Sequence, residues 1–163
     1  MFYLVDGYNF VFRLGLKKRF SLQKQREEFI KSFSSCVEKL RVHIALVFDG
    51  KDLPEGSYTR GNWKDVELIY THHGLSADEY ILAQVQNALK PKSITVVTSD
   101  RELAGKVGLY GSRVITIEEF MRLILKKNLP KTSAREKPPL RESGYQFERL
   151  LKIFEERLKN EEI

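Results

Sequence analysis

The stretch Phe2-Tyr3-Leu4-Val5-Asp6-Gly7-Tyr8-Asn9 decides how the rest of the chain is read. Four apolar residues run without a break and stop at Asp6-Gly7, a pair common in tight turns after strands. An unbroken apolar run, rather than an alternating one, is what a strand buried on both faces of a parallel sheet looks like. The pattern recurs along the chain. Ile44 to Phe48 ends at Asp49-Gly50, Val66 to Tyr70 runs into Thr71-His72-His73-Gly74, Ile94 to Val97 into Thr98-Ser99-Asp100, and Val114-Ile115 is a short fifth case. Segments of helical period separate these runs. The alternation predicts an α/β fold around a parallel sheet of about five strands.

Residues 22 to 40 carry Phe29, Ile30, Phe33, Val37 and Leu40 at 3.6-residue spacing, which predicts a helix with one face on the core. Cys36 lies beside that stripe and reads as a small buried hydrophobe. The helix after the third strand places Ile81, Leu82, Val85 and Leu89 on one face. Three helix starts carry the capping-box pattern: Ser76 with Glu79, Ser99 with Glu102, and Thr116 with Glu119. Residues 51 to 65, with Pro54, Gly56, Gly61 and scattered charge, sustain no period and read as a loop. Beyond residue 127, Pro130, Pro138 and Pro139 among basic residues mark a linker. Phe147, Leu150, Leu151, Phe154 and Leu158 then form the stripe of a last helix, at roughly 145 to 160. The expected organisation is therefore a domain over residues 1–127, followed over 128–163 by a basic, proline-containing linker and a C-terminal helix packed on the same domain.

At 163 residues the chain is long enough to bury a core without disulfides, and its single cysteine can form no internal one. No apolar run approaches the roughly 18 residues of a membrane span, and no basic region precedes the first strand, so the expectation is a cytoplasmic protein with no membrane partner. The formal charge is +6, and it is clustered. Residues 13 to 26 hold Arg13, Lys17, Lys18, Arg19, Lys24 and Arg26 with no acid among them, and residues 122 to 141 hold seven further basic residues against the lone Glu136. Clustered positive charge points to a polyanionic partner, a nucleic acid, over the alternative of a merely solvated basic face.

Within this basic chain the strands end alike: Asp6 after the first, Asp49 after the second, Asp100 after the fourth, and Asp78 in the first helical turn after the third. Ligand sites of open parallel sheets lie outside the carboxyl ends of the strands, so these four carboxylates are expected on one edge. Two carboxylates about 4 Å apart repel by roughly 4 kcal/mol at an effective dielectric near 20. A positive group is needed among them. Oxygen donors without histidine or cysteine nearby favour Mg²⁺ or Mn²⁺ over zinc, and such ions serve phosphoryl chemistry by activating water and neutralising phosphate charge. Each aspartate also has a structural explanation. Asp78 and Asp100 would complement helix dipoles, and Asp6-Gly7 and Asp49-Gly50 would be ordinary turns. Recurrence at successive strand ends is what turns four ordinary residues into a candidate site.

Asn9, three residues after Asp6, either caps a helix or directs its amide to the same edge to ligate a metal or orient a phosphate. His72 and His73 lack partners at zinc-binding spacing and read as loop residues. Trp63, Tyr58 and Arg60, after Asp49, either pack the loop down or stack on an unpaired base. Arg13, Lys17, Lys18 and Arg19 follow the first strand closely enough to form a phosphate-binding rim beside the acidic edge.

These motifs resemble those of the NYN domains of the PIN-like nuclease superfamily, in its bacterial YacP-like branch. The residues that carry the resemblance are Asp6-Gly7-Tyr8-Asn9, Val47-Phe48-Asp49-Gly50, Ser76-Ala77-Asp78-Glu79 and Thr98-Ser99-Asp100, in that order over residues 1–127. The resemblance implies a Rossmann-like sheet with helices on both sides, a Mg²⁺ or Mn²⁺ centre, and endonucleolytic cleavage of RNA. It implies Asp6, Asp78 and Asp100 as metal ligands, with Asn9 and Asp49 in support, and an association of the branch with messenger RNA turnover on ribosomes. The rival readings are a non-catalytic RNA- or ribosome-binding module, which needs the basic patches but not the aspartates, and a Rossmann-type nucleotide binder. The last lacks the Gly-rich loop after the first strand, where Asp6 would face the phosphates.

Overall fold

The computed structural model describes residues 1–15, 20–52 and 59–128, together with Lys152. Lys17, Lys18, Arg19, Tyr58, the linker beyond residue 128 and the last helix expected at 145–160 lie outside the described residues.

The apolar runs form strands where the pattern places them: β1 (Phe2–Asp6), β2 (His43–Phe48), β4 (Val66–Tyr70), β5 (Ile94–Val97) and β6 (Arg113–Ile115). A further strand, β3 (Arg60–Trp63), makes the sheet six-stranded, in the order β3-β4-β2-β1-β5-β6. Five strands are parallel, and β3 alone runs antiparallel, pairing Arg60 with Ile69 and Trp63 with Val66. The expectation of loop throughout 51–65 is thus corrected. All four β3 residues are exposed, so the strand has no buried face and leaves no alternation to read. It is held by backbone pairing on the edge, behind a hairpin turn in which Lys64 takes the left-handed conformation at φ 53°.

Among the described residues, the five helices of eight or more residues cover the two faces. On one side α1 (Gly7–Leu14), α2 (Leu22–Val37) and α5 (Ile117–Asn128) share a core in which Phe10, Phe29, Phe33 and Phe120 are wholly buried. On the other, α3 (Ala77–Gln86) and α4 (Arg101–Leu109) pack Ile81, Val85, Leu103 and Val107 onto Leu4, Ala45, Val47 and Val96. Both faces of the central strands are therefore buried, which is why they read as continuous apolar runs.

Two helix ends differ from the periodic reading. The helix expected to residue 40 ends at Val37, and Glu38–Leu40 tightens to a 3-10 turn before Arg41, at φ 51°, reverses the chain. The helix carrying Ile81 and Val85 ends at Gln86, which leaves Leu89 fully exposed instead of on the core face. Pro91 lies shortly beyond, where the residue before it is steered away from helix. Cys36 is buried as expected. No helix among the described residues is long and apolar enough to cross a membrane.

Candidate functional site

The parallel strands run outward from β1 in both directions, through β2 and β4 on one side and β5 and β6 on the other. The topological switch point therefore lies between β1 and β5, and crevices at such points receive ligands. Asp6 ends β1 and Asp100 follows β5, so the two flank that crevice.

Asp6 is 6% exposed and caps α1, accepting a hydrogen bond from the Asn9 backbone N–H at 3.4 Å. Val5 pairs with Val97, which sets Asp6 level with Thr98, and the Thr98 hydroxyl donates to its other oxygen at 3.3 Å. These bonds favour the charged form but do not prevail. Burial first, and then repulsion from Asp78 and Asp100, push the Asp6 carboxyl from 3.8 up to about 6. Asp78 sits in the first turn of α3, behind a complete Ser76–Glu79 capping box. A helix start favours an anion, yet burial and the charges of Asp100 and Glu102 hold the Asp78 carboxyl above its usual range. Dipole complementarity alone does not describe that residue. Mutual repulsion joins Asp6, Asp78 and Asp100 into one acidic cluster; none of the ion pairs among the described residues includes any of the three, and Lys106, paired with Glu102, offsets the charge at Asp78 only in part.

The glycines of the strand-end motifs have a packing reason. A Cβ on Gly7 would stand 2.4 Å from the Phe48 ring, and one on Gly50 would stand 1.9 Å from the Thr71 carbonyl oxygen. The Gly50 N–H also donates to the buried Thr71 hydroxyl at 3.2 Å, tying the ends of β2 and β4 together. Asp49 lies on the same edge, but its carboxylate is held locally, accepting from the Lys51 N–H at 3.0 Å with the Lys51 Nζ 3.8 Å away.

Asn9 turns its amide oxygen to the backbone N–H of Ser99 at 2.9 Å, fastening α1 to the loop between β5 and α4. The capping box expected of Ser99 with Glu102 is not formed. Asp100 itself caps α4, accepting from the N–H groups of Glu102 at 2.8 Å and Leu103 at 3.2 Å. Ser99 instead accepts from the Ile117 N–H and donates to Glu118, serving the start of α5. The Thr116–Glu119 box is complete.

Two residues the sequence reading passed over complete the arrangement. Thr98 bonds Asp6 through its hydroxyl while that oxygen accepts from the Asp100 N–H at 3.1 Å, so one side chain couples the two acids. Glu118 accepts from Ser99 and pairs with the Arg13 guanidinium. Beside Asp100 lies a cleft of about 580 Å³ lined by Arg13, Ser99, Arg101, Thr116 and Glu118, which sets basic side chains next to the acidic cluster. Thr98 was visible only as a neighbour of Ser99-Asp100, and Glu118 as one more acid in a first helical turn. Arg60, at the start of β3, pairs with Glu67 at 3.1 Å. Trp63, paired with Val66 at the opposite end of the strand, stands at the far edge of the sheet from the cluster. His72 and His73 are exposed after β4.

The acidic set offers oxygen donors alone, which suits a hard divalent cation. Burial first and mutual repulsion second raise Asp6 and Asp78, and a bound ion would offset both. Among the described residues, no three Asp, Glu, His or Cys side chains stand close enough to form a ready-made cage. The carboxylates are gathered on one edge without being closed around a point.

Residues 3–161 match the family model of the YacP-like NYN domain. Comparison with curated proteins returned no match. Among solved structures, the chain is similar to Rae1 (YacP) from Bacillus subtilis. A crystal structure of a point mutant of that protein superposes with a TM-score of 0.58 at 25% identity, over 77% of this chain and 75% of that one. A second crystal structure of Rae1 gives 0.56 at 23% identity, over 99% of this chain and 83% of that one. The sheet and its helices thus have the PIN-like, nuclease-type architecture.

Proposed function

The chain belongs to the YacP-like NYN domain family, and from that premise we propose that it is an endoribonuclease that hydrolyses RNA phosphodiester bonds with Mg²⁺ or Mn²⁺. The observation that carries the proposal is Asp6: a buried carboxyl at the switch point, pushed up to about 6 by burial and by Asp78 and Asp100, without a cationic partner among the described residues. Keeping such a charge buried costs stability, and the α1 cap that Asp6 supplies is a role a neutral Asn or Ser also fills. NYN domains generally depend on divalent metals. Asp6, Asp78 and Asp100 would hold the ion, with Asp49 in support on the same edge. When bound, the ion supplies activation of water and neutralisation of the phosphate's charge.

The other roles belong to the chain's own groups. Thr98 keeps the Asp6 and Asp100 loops in register, and Asn9 fixes the Ser99 backbone beside them. Arg13, which lines the cleft, would grip the RNA backbone together with Lys17, Lys18 and Arg19, and with Arg60 when it exchanges Glu67 for a phosphate. The reading extends to messenger RNA turnover in the cytoplasm, on ribosomes, and that extension rests on the family resemblance. A non-catalytic RNA-binding module would account for the basic residues but would have no use for the strained acids.

The experiment is to incubate the pure protein with single-stranded and structured RNA in Mg²⁺, in Mn²⁺ and in chelator, alongside Asp6→Asn and Asp100→Asn. Cleavage that needs the ion and is lost in both variants, with RNA binding kept, is the expected outcome. Both variants cutting at the wild-type rate would show that the aspartates are not catalytic.

A further inference from the structure

α1 carries more than the aspartate that caps it. Tyr8 and Phe12 are four residues apart, hence on one helix face, and their rings stack with centroids 6.0 Å apart and planes 18° from parallel. Tyr8 is fixed on its other sides. The Phe48 ring meets it edge-on at 5.1 Å, and the Arg26 guanidinium, only 4% exposed, donates to its hydroxyl at 2.9 Å. Phe48 in turn stacks on Tyr70 at 5.7 Å. Four rings from α1, β2 and β4 thus form a row along the carboxyl edge of the sheet, in which Tyr8 is packed against Phe48 and Arg26. The outer end is Phe12, 64% exposed.

A lone exposed aromatic is ordinary. Phe12 differs in being backed by a ring that Phe48 and Arg26 hold in place and in standing six residues from Asp6, about 9 Å along the axis at 1.5 Å per residue. The residue after it, Arg13, lines the cleft beside Asp100, where its guanidinium pairs with Glu118. One short helix therefore presents an acid, a ring and a guanidinium in sequence. On a chain of net charge +6, the occupant these groups fit is an unpaired nucleotide, its base stacked on the ring and its phosphate toward the Arg13 guanidinium, which exchanges Glu118 for it.

Resting on the nuclease reading above, we infer that Phe12, backed by Tyr8, is a stacking platform for an unpaired RNA base next to the phosphodiester that is cut. The platform selects single-stranded RNA, because a base held in a duplex has no free face to offer. Base identity matters little to it, since every base has a π face. Arg26 is a positioning residue that keeps Tyr8 upright behind the platform.

The test uses the full chain in chelator, so that RNA is bound and not cut, with short single-stranded RNAs carrying one 2-aminopurine at successive positions. Binding should quench the fluorescence strongly at one position. Phe12→Ala should abolish that quench and weaken affinity roughly five- to hundred-fold, the range for loss of one base–aromatic stack, while Phe12→Trp should retain both. An abasic nucleotide at the quenched position should weaken wild-type binding by a similar factor and leave Phe12→Ala unchanged. Because Phe12 is exposed, the variants should melt with the wild type. Equal affinity and equal quenching in wild type and Phe12→Ala, with wild-type cleavage intact, would overturn the platform and leave the nuclease reading standing. A wild type that neither binds nor cuts these RNAs would overturn that reading, and the platform with it.

Discussion

Asp6 concentrates the energetics of the site in one side chain. Its folded-state value of about 6 lies above the 3.8 of an ordinary aspartate, so the folded protein holds this proton more tightly than the unfolded chain does. The resulting penalty is absent below about pH 4, grows as pH rises, and is complete above about pH 6. Asp6→Asn, whose single amide oxygen keeps the acceptor for the Asn9 N–H and gives up the one for Thr98, should still raise stability near neutral pH, by less than about 3 kcal/mol. The gain should shrink to nothing near about pH 3.5, a comparison that denaturant titrations at the two pH values make directly. Equal stabilities at both would mean that the carboxyl is not strained. Gly7 makes the converse case. A methyl there meets the Phe48 ring at 2.4 Å, so Gly7→Ala should lose about 1–3 kcal/mol, measured the same way. Asp6, Asp78 and Asp100 were legible in the sequence because strand ends announce themselves. Thr98 and Glu118 were not, because their roles depend on what stands opposite them across the sheet.

Elements were readable in proportion to how much of them is buried. The central strands show unbroken apolar runs, and α2 shows its stripe, because one consistent face meets the core. β3 has no buried face and was invisible. Ser99 with Glu102 matched the capping-box pattern, but the cap of α4 lies one residue further on. Asp100 supplies it, and Ser99 is drawn across to α5. The basic segment after α1 poses a question of its own. Lys17, Lys18 and Arg19 follow α1 directly, and Arg13 within α1 faces the cleft. Replacing the three with alanine should weaken RNA binding across sequences without moving the cleavage position, and turnover at saturating RNA should change far less. The slope of log affinity against log salt should fall by roughly 0.7 for each lost contact to single-stranded RNA. An unchanged slope would show that this cluster does not touch the RNA.

At the scale of the whole molecule, the α/β class was plain from the alternation of runs, but the strand order was not. Neighbours across a sheet are chosen by packing between segments far apart in the chain, and the order β4-β2-β1-β5-β6 is what brings Asp6 beside Asp100. That convergence, in a protein otherwise rich in positive charge, is the centre of the proposed function. It can be tested without RNA. Calorimetric titration of the wild-type protein with Mn²⁺ near pH 7.5 should show a saturable site whose affinity falls as the pH is lowered through about 6, since the proton on Asp6 competes with the ion. The site should vanish in Asp6→Asn and in Asp100→Asn. Mn²⁺ binding of wild-type strength in both variants would mean that the aspartates at this edge do not form a metal centre.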